Sequence, residues 1–208
     1  DGNANMTNPL KRAGISADKT GHIGLLAVGT NGTDNYKFTR CDFDRLDKAY
    51  ELRTPQTTKM VFFDCAFRWC NYMGWMGPNP DDQNDKAGSG NPAFYSCTRY
   101  GSGPVVFDRC KHACSSMTWV AGWLDTNGDL PMQPLADFSR SSFGYLSIVG
   151  GKGKQLKTDI PHEPLVIPAK WDGYPRLYLN GSYPQFQPLL PAGYILNSDR
   201  VEKIKDAN

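Results

Sequence analysis

"FTRCDFDRL" at residues 38–46 and "FFDCAFRWC" at residues 62–70 are two copies of one pattern. Laid over each other, Phe38 falls on Phe62, Cys41 on Cys65, Phe43 on Phe67 and Leu46 on Cys70, all at one constant offset. A repeat of about 24 residues is the length at which a chain builds a solenoid, whose units bury their apolar faces only against their neighbours. Helical repeats are longer, and the internal pattern is not helical either. Stretches of period-2 alternation through Tyr36, Phe38, Cys41 and Phe43, and again through Val61, Phe63, Cys65 and Phe67, predict strands. Residues 49–52 alternate in the same way, and residues 53–58, "RTPQTT", supply turn formers. One unit therefore reads strand, bend, strand, turn, strand.

A third copy is read at "VVFDRCKHAC", residues 105–114, with Phe107 on Phe62, Cys110 on Cys65 and His112 on Phe67. It lies nearly two repeats further on, or one repeat plus a long loop. Residues 74–92, "GWMGPNPDDQNDKAGSGNP", are dense in Gly, Pro, Asn and Asp and predict that loop. A long loop on a rigid scaffold is a usual place for function.

The F-x-x-C-x-F pattern, with like residues recurring one unit apart, resembles the right-handed parallel β-helix proteins of the pectin-lyase-like group. That group includes pectate lyases, polygalacturonases and many phage tailspike depolymerases. The resemblance covers about residues 15–123 and implies an all-β solenoid with like residues stacked in ladders along its interior. Cys41, Cys65 and Cys110 would form one ladder of buried thiols beside Phe38, Phe62 and Phe107. Residues 1–149 then make the coils, and residues 150–208, rich in Pro and Tyr, read as an irregular cap over the open strand edges.

Composition excludes several classes. Charged residues are 21% of the chain and the formal net charge is +2, so nucleic-acid and membrane-surface partners are not expected. The longest apolar runs, such as residues 23–28, are far too short for a membrane span. The six cysteines show no metal-ligand spacing. No cofactor is expected. Asp81, Asp82 and Asp85, or Asp125, Asn127 and Asp129, offer oxygen ligands suited to Ca²⁺, although the latter run has Ala136 where an EF-hand loop needs Glu.

Three groups of residues carry candidate chemistry. Gly21-His22 and the later Arg53 are similar in order to the Gly-His-Gly and basic segments of polygalacturonase-type hydrolases, with Ile23 in place of the second Gly. His22 as an ordinary turn residue stands beside that reading. Charged residues alternate with the inward positions: Arg40, Asp42, Asp44 and Arg45, then Asp64 and Arg68, then Asp108, Arg109 and Lys111. Stacking would set opposite charges in neighbouring rows. An Arg or Lys of these rows, such as Arg68, beside a uronate would suit lyase chemistry, whereas Asp42, Asp44 and Asp64 could supply the two carboxylates of a hydrolase. A solvated charged face is the plainer account. Trp69, Tyr72 and Trp75, with the basic residues Arg99 and Lys111, are candidate substrate-binding residues, because aromatic faces pack on sugar rings; core packing would explain the aromatics equally.

The expectation is a carbohydrate-active β-helix that binds and cleaves a polysaccharide, either as a lyase or as a glycoside hydrolase. Its alternative is a non-catalytic structural or adhesive spike segment. The resemblance implies an extracellular or virion-surface location, and a homo-oligomer, such as a trimer, or a neighbouring spike subunit as partner. A third alternative, a disulfide-stapled binding module, requires Cys41 and Cys65 to be oxidised.

Overall fold

The computed structural model describes residues 22–28, 35–53, 58–77, 90–110, 116–125, 134–141, 145–150, 152–153, 166–167, 176–180, 194–197 and 200–203. The described residues contain strands and no helix. In chain order the strands fall into triplets. The first is β1 (Ile23–Val28), β2 (Asn35–Thr39) and β3 (Asp42–Asp44). Then follow β4 (Lys48–Arg53), β5 (Thr58–Phe63) and β6 (Ala66–Arg68), and β7 (Gly74–Gly77), β8 (Gly90–Tyr95) and β9 (Thr98–Tyr100). The next two triplets are β10 (Val105–Asp108), β11 (Ser116–Val120) and β12 (Trp123–Asp125), and β13 (Ala136–Arg140), β14 (Tyr145–Val149) and β15 (Lys152–Gly153). The chain closes with β16 (Val166–Ile167), β17 (Arg176–Asn180), β18 (Tyr194–Asn197) and β19 (Arg200–Lys203).

Strands pair with the third strand along. The first sheet has the order β1-β4-β7-β10-β13-β16 and the third β15-β12-β9-β6-β3. The second runs β2-β5-β8-β11-β14-β17 and is extended by β19 and β18. Pairing is parallel throughout the three sheets except at β19, which runs antiparallel to β17 and β18. This all-β, parallel order is compatible with a solenoid. Parts of the tail expected to be irregular are strand, since β16 and β17 continue two of the sheets. The antiparallel hairpin β18–β19 covers the edge that β17 would otherwise present.

The repeated pattern codes for a corner. F-x-x-C occurs at 38–41, 62–65, 67–70, 94–97 and 107–110. In each, the third residue has left-handed φ: Arg40 54°, Asp64 51°, Trp69 57°, Ser96 52° and Arg109 53°. That conformation turns the strand sharply and costs L-residues about 1–2 kcal/mol. It is held by an N–H bond to the next strand, as from Arg40 to Phe63 O and from Asp64 to Tyr95 O, both 2.9 Å. The cysteine that follows points inward and tethers two strands. The Cys97 thiol donates to Tyr95 O and to Phe62 O, both at 3.4 Å, and the Cys70 thiol to Arg68 O and Phe43 O, both at 3.5 Å. Ser102 and Ser141 take the same place one strand on, donating to Phe67 O (2.9 Å) and Phe107 O (2.6 Å) and accepting from the N–H of Cys70 and Cys110. A small side chain with a donor hydrogen satisfies a buried carbonyl that a larger apolar residue would leave unpaired. Cys41, Cys65, Cys70, Cys97 and Cys110 are all thiols.

The third copy is corrected. Phe62 pairs in register with Phe94, and Ala66 with Thr98, so the row begun by Cys41 and Cys65 continues at Cys97. Phe107 belongs to the first sheet and stacks on Phe138 at 4.5 Å. "FYSC" at 94–97 is hard to recognise as a copy in the sequence because Arg99 stands where the preceding copies have Phe43 and Phe67. The same corner chemistry serves all three sheets, so Phe107–Cys110 resembles the missing copy in sequence.

Inward residues from the three sheets join in one core. Phe38, Phe62 and Phe94 form a ladder with centroid separations of 5.2 and 5.1 Å, and Phe43 stacks on Phe67 at 5.0 Å. Phe62, Phe67, Phe94, Phe107 and Trp119 are fully buried. Gly74 is required beneath Tyr50, because a Cβ there would overlap the Tyr50 ring.

Candidate functional site on the outer face of the first sheet

Alternation along β4 sends Tyr50 and Leu52 into the core and Glu51 to the outer face. Glu51 is nevertheless only 5% exposed. Its register neighbours across the sheet are Leu26 and Trp75. Lys48 Nζ lies 2.9 Å from Glu51 Oε2, and Arg53 Nε lies 2.8 Å from Oε1, so each carboxylate oxygen has its own cation. Burial alone would raise the Glu51 pKa. Hydrogen bonds from Arg53 and Lys48, together with their charges, outweigh it and hold the carboxyl below its ordinary 4.5.

Trp75 ties the cluster together. Lys48 Nζ sits 5.0 Å from its ring centroid and Arg140 Cζ 5.2 Å, both in cation–π range. Tyr72 meets Trp75 edge to face at 5.2 Å. Tyr72 is placed by a bridge to Lys48, and Trp75 by the β4–β7 pairing. Lys48 and Arg53 thus flank the buried carboxylate and Arg140 lies over the Trp75 ring, while Asp137 continues the outward row of Glu51 and Trp75 and Asp108 pairs in register with Arg140.

Arg53, Tyr72 and Trp75, all expected as site residues, come together here. The other expected residues do not join them. Asp42 and Asp44 lie on β3 and Arg68 on β6, in the third sheet, with Arg68 paired to Asp42 and Arg45 Nε 3.7 Å from Asp44. Asp64 is a corner residue whose carboxylate meets Arg40 at 3.4 Å, both side chains well exposed. These are opposite charges in neighbouring rows of a solvated face. His22 is exposed at the start of β1, and its carbonyl accepts the N–H of Asp47 and of Lys48.

No family model, curated protein or solved structure matches this chain. The reading of the site therefore rests on its own chemistry. Trp69 is a buried corner residue packed edge-on against Tyr100 at 4.9 Å. Arg99, expected to bind substrate, is 3% exposed and faces the core. Its guanidinium donates to Ser102 O (2.8 and 2.6 Å) and Pro134 O (2.8 Å), holding backbone rather than facing solvent. Lys111, Asp81, Asp82, Asp85, Asn127 and Asp129 lie outside the described residues, as do residues 78–89 of the expected loop; 74–77 and 90–92 are strand. Among the described residues no group of three His, Cys, Asp or Glu could hold a metal ion, and no helix could cross a membrane.

Sequence reading missed Lys48, Glu51 and Arg140. Glu51 carried a signal, a carboxylate between Tyr50 and Leu52 with basic residues three before and two after it. It also missed the outward pair Phe63–Tyr95 on the second sheet, stacked at 4.9 Å with Lys37 over Phe63 at 4.8 Å. The doubled aromatics "FF" at 62–63 and "FY" at 94–95 were its signal.

Proposed function

We propose that the three parallel sheets close into a right-handed parallel β-helix, with coils of about 24 residues where no loop intervenes, and that this helix binds a polysaccharide on the outer face of the first sheet. Support for the fold comes from pairing that steps by three strands, from corner residues recurring in register, and from interior ladders of like residues. The observation that carries the function is Glu51, kept ionised and nearly buried between Lys48 and Arg53 beside Trp75. A buried ion network is a poor source of stability compared with apolar packing, so its presence on an outer face argues for recognition. Arg140 over Trp75, beside Lys48 and Arg53, offers a cation to a carboxylate-bearing sugar, and the rim of Tyr72 and Trp75 fits its C–H surface.

A second reading, a structural or adhesive spike segment, is favoured by one observation. The residues expected to catalyse are spread over different sheets, and Asp42, Asp44 and Asp64 are each paired with an arginine. A panel of acidic and neutral polysaccharides separates the two. Retention in affinity electrophoresis supports binding, and release of reducing ends, with or without the ultraviolet absorbance of an unsaturated product, adds a lyase or a hydrolase activity. A protein that neither binds nor shortens any polymer is a structural segment.

A further inference from the structure

Cys41 stands apart from the other corner thiols, and Cys65 is its neighbour in the row. They face each other across β2–β3 and β5–β6, since Phe38 is in register with Phe62 and Asp42 with Ala66. The Cys41 N–H points at Cys65 Sγ, 3.4 Å away. Adjacent strands run about 4.8 Å apart, inside the roughly 4.4–6.8 Å Cα separation that a disulfide spans. Cys65, Cys70, Cys97 and Cys110 each donate to a carbonyl of the preceding strand as well as of their own. Cys41 donates to Thr39 O of its own strand. It is also the one partly exposed thiol among the five described; the other four are buried. Exposure falls along the row, from Cys41 to Cys65 at 2% and Cys97 at 0%.

We propose that Cys41 and Cys65 form an oxidant-gated staple, in which a peroxide oxidises Cys41 and Cys65 resolves it as a disulfide. The Cys41 sulfur attacks the peroxide, an S–O bond forms, the O–O bond breaks and water leaves. Cys65 Sγ then attacks the sulfenic sulfur of Cys41, the S–O bond breaks, and a second water departs carrying the Cys65 proton. The two thiols lose two electrons to one peroxide. Burial raises the Cys65 thiol, so resolution depends on its contact with Cys41. Burial likewise pushes Cys97 up to about 12, which keeps it out of the exchange. The bond joins the first corner of the row to the second and restrains a triplet that has a strand partner on one side alone among the described residues.

The test uses the intact protein, treated with hydrogen peroxide, alkylated with N-ethylmaleimide after unfolding, and mapped by mass spectrometry. The expected result is one cross-linked peptide joining residues 41 and 65, lighter by two hydrogens, reversed by dithiothreitol, with Cys97 and Cys110 alkylated. Cys65→Ser should fold, because Ser102 and Ser141 already occupy equivalent corners, and should carry Cys41 oxidised past the sulfenic stage with no cross-link. Over-oxidation of Cys41 in the unmutated protein while Cys65 stays alkylatable would overturn the proposal. So would a Cys65–Cys97 link, or an unreactive Cys41.

Discussion

Phe62 and Phe94 stack face to face, ring centroids 5.1 Å apart and planes inclined by 6°, with residues 74–92 lying between them in the chain. The aromatic ladder therefore runs straight past the region read as a loop. Phe94→Ala removes a fully buried ring from the middle of that ladder and should destabilise the protein by about 3–5 kcal/mol. Urea unfolding measures it. A loss under 1 kcal/mol would mean that Phe94 lies outside the core, as the alignment through Phe107 implies.

The corners differ in backbone strain. Ala121 and Gly150 occupy consecutive corners of one row, φ 50° and 58°, and a Cβ on Gly150 would meet nothing within 4 Å. Gly150→Ala should therefore cost about 1 kcal/mol through the backbone alone, and Ala121→Gly should gain a similar amount. Opposite shifts in thermal midpoint check the pair.

Glu51→Gln removes the charge that Lys48 and Arg53 share and should cost about 2 kcal/mol at neutral pH. The folded-state pKa of Glu51 lies below its ordinary 4.5. Its contribution is thus complete above the unfolded-state value and disappears as pH falls through the folded one. Unfolding free energy measured from pH 6 downward should show a fall below about pH 4.5 that is smaller in Glu51→Gln. Parallel curves would remove the carboxylate from the account.

Arg99→Leu tests whether that arginine is structural. Phe43, Phe67 and Leu124 share its row, so leucine fits the space, but the carbonyls of Ser102 and Pro134 lose donors. A loss of about 2 kcal/mol in stability is expected, with polysaccharide affinity unchanged in the protein that remains folded. Lost affinity at full stability would return Arg99 to the binding residues.

Strand content and the three-strand unit were legible at Phe38–Cys41 and Phe62–Cys65, where alternation and repeat coincide. The next unit was hidden because Arg99 broke the aromatic pattern, and an arginine held by carbonyls in a core looks, in sequence, like any surface arginine. Trp75 and Arg53 were legible as chemistry by residue type alone. Glu51 was legible too, between basic residues of its own strand, but Arg140 was not, because neighbours across strands depend on register, and register across a loop of unknown length cannot be read from one chain. Asp42 and Asp64 looked catalytic by type; opposite charges in neighbouring rows were expected from stacking as well, and the stacked strands identify the partners as Arg68 and Arg40.

Binding of the unmutated protein, Trp75→Ala and Asp42→Asn to the best-retained polysaccharide of the panel is the measurement that most directly tests the site. Trp75→Ala should weaken binding about tenfold, equivalent to roughly 1.4 kcal/mol, and Asp42→Asn, on the third sheet, should leave it unchanged. Equal affinity for the first two proteins, or a loss confined to Asp42→Asn, would contradict a binding face built on Glu51 and Trp75.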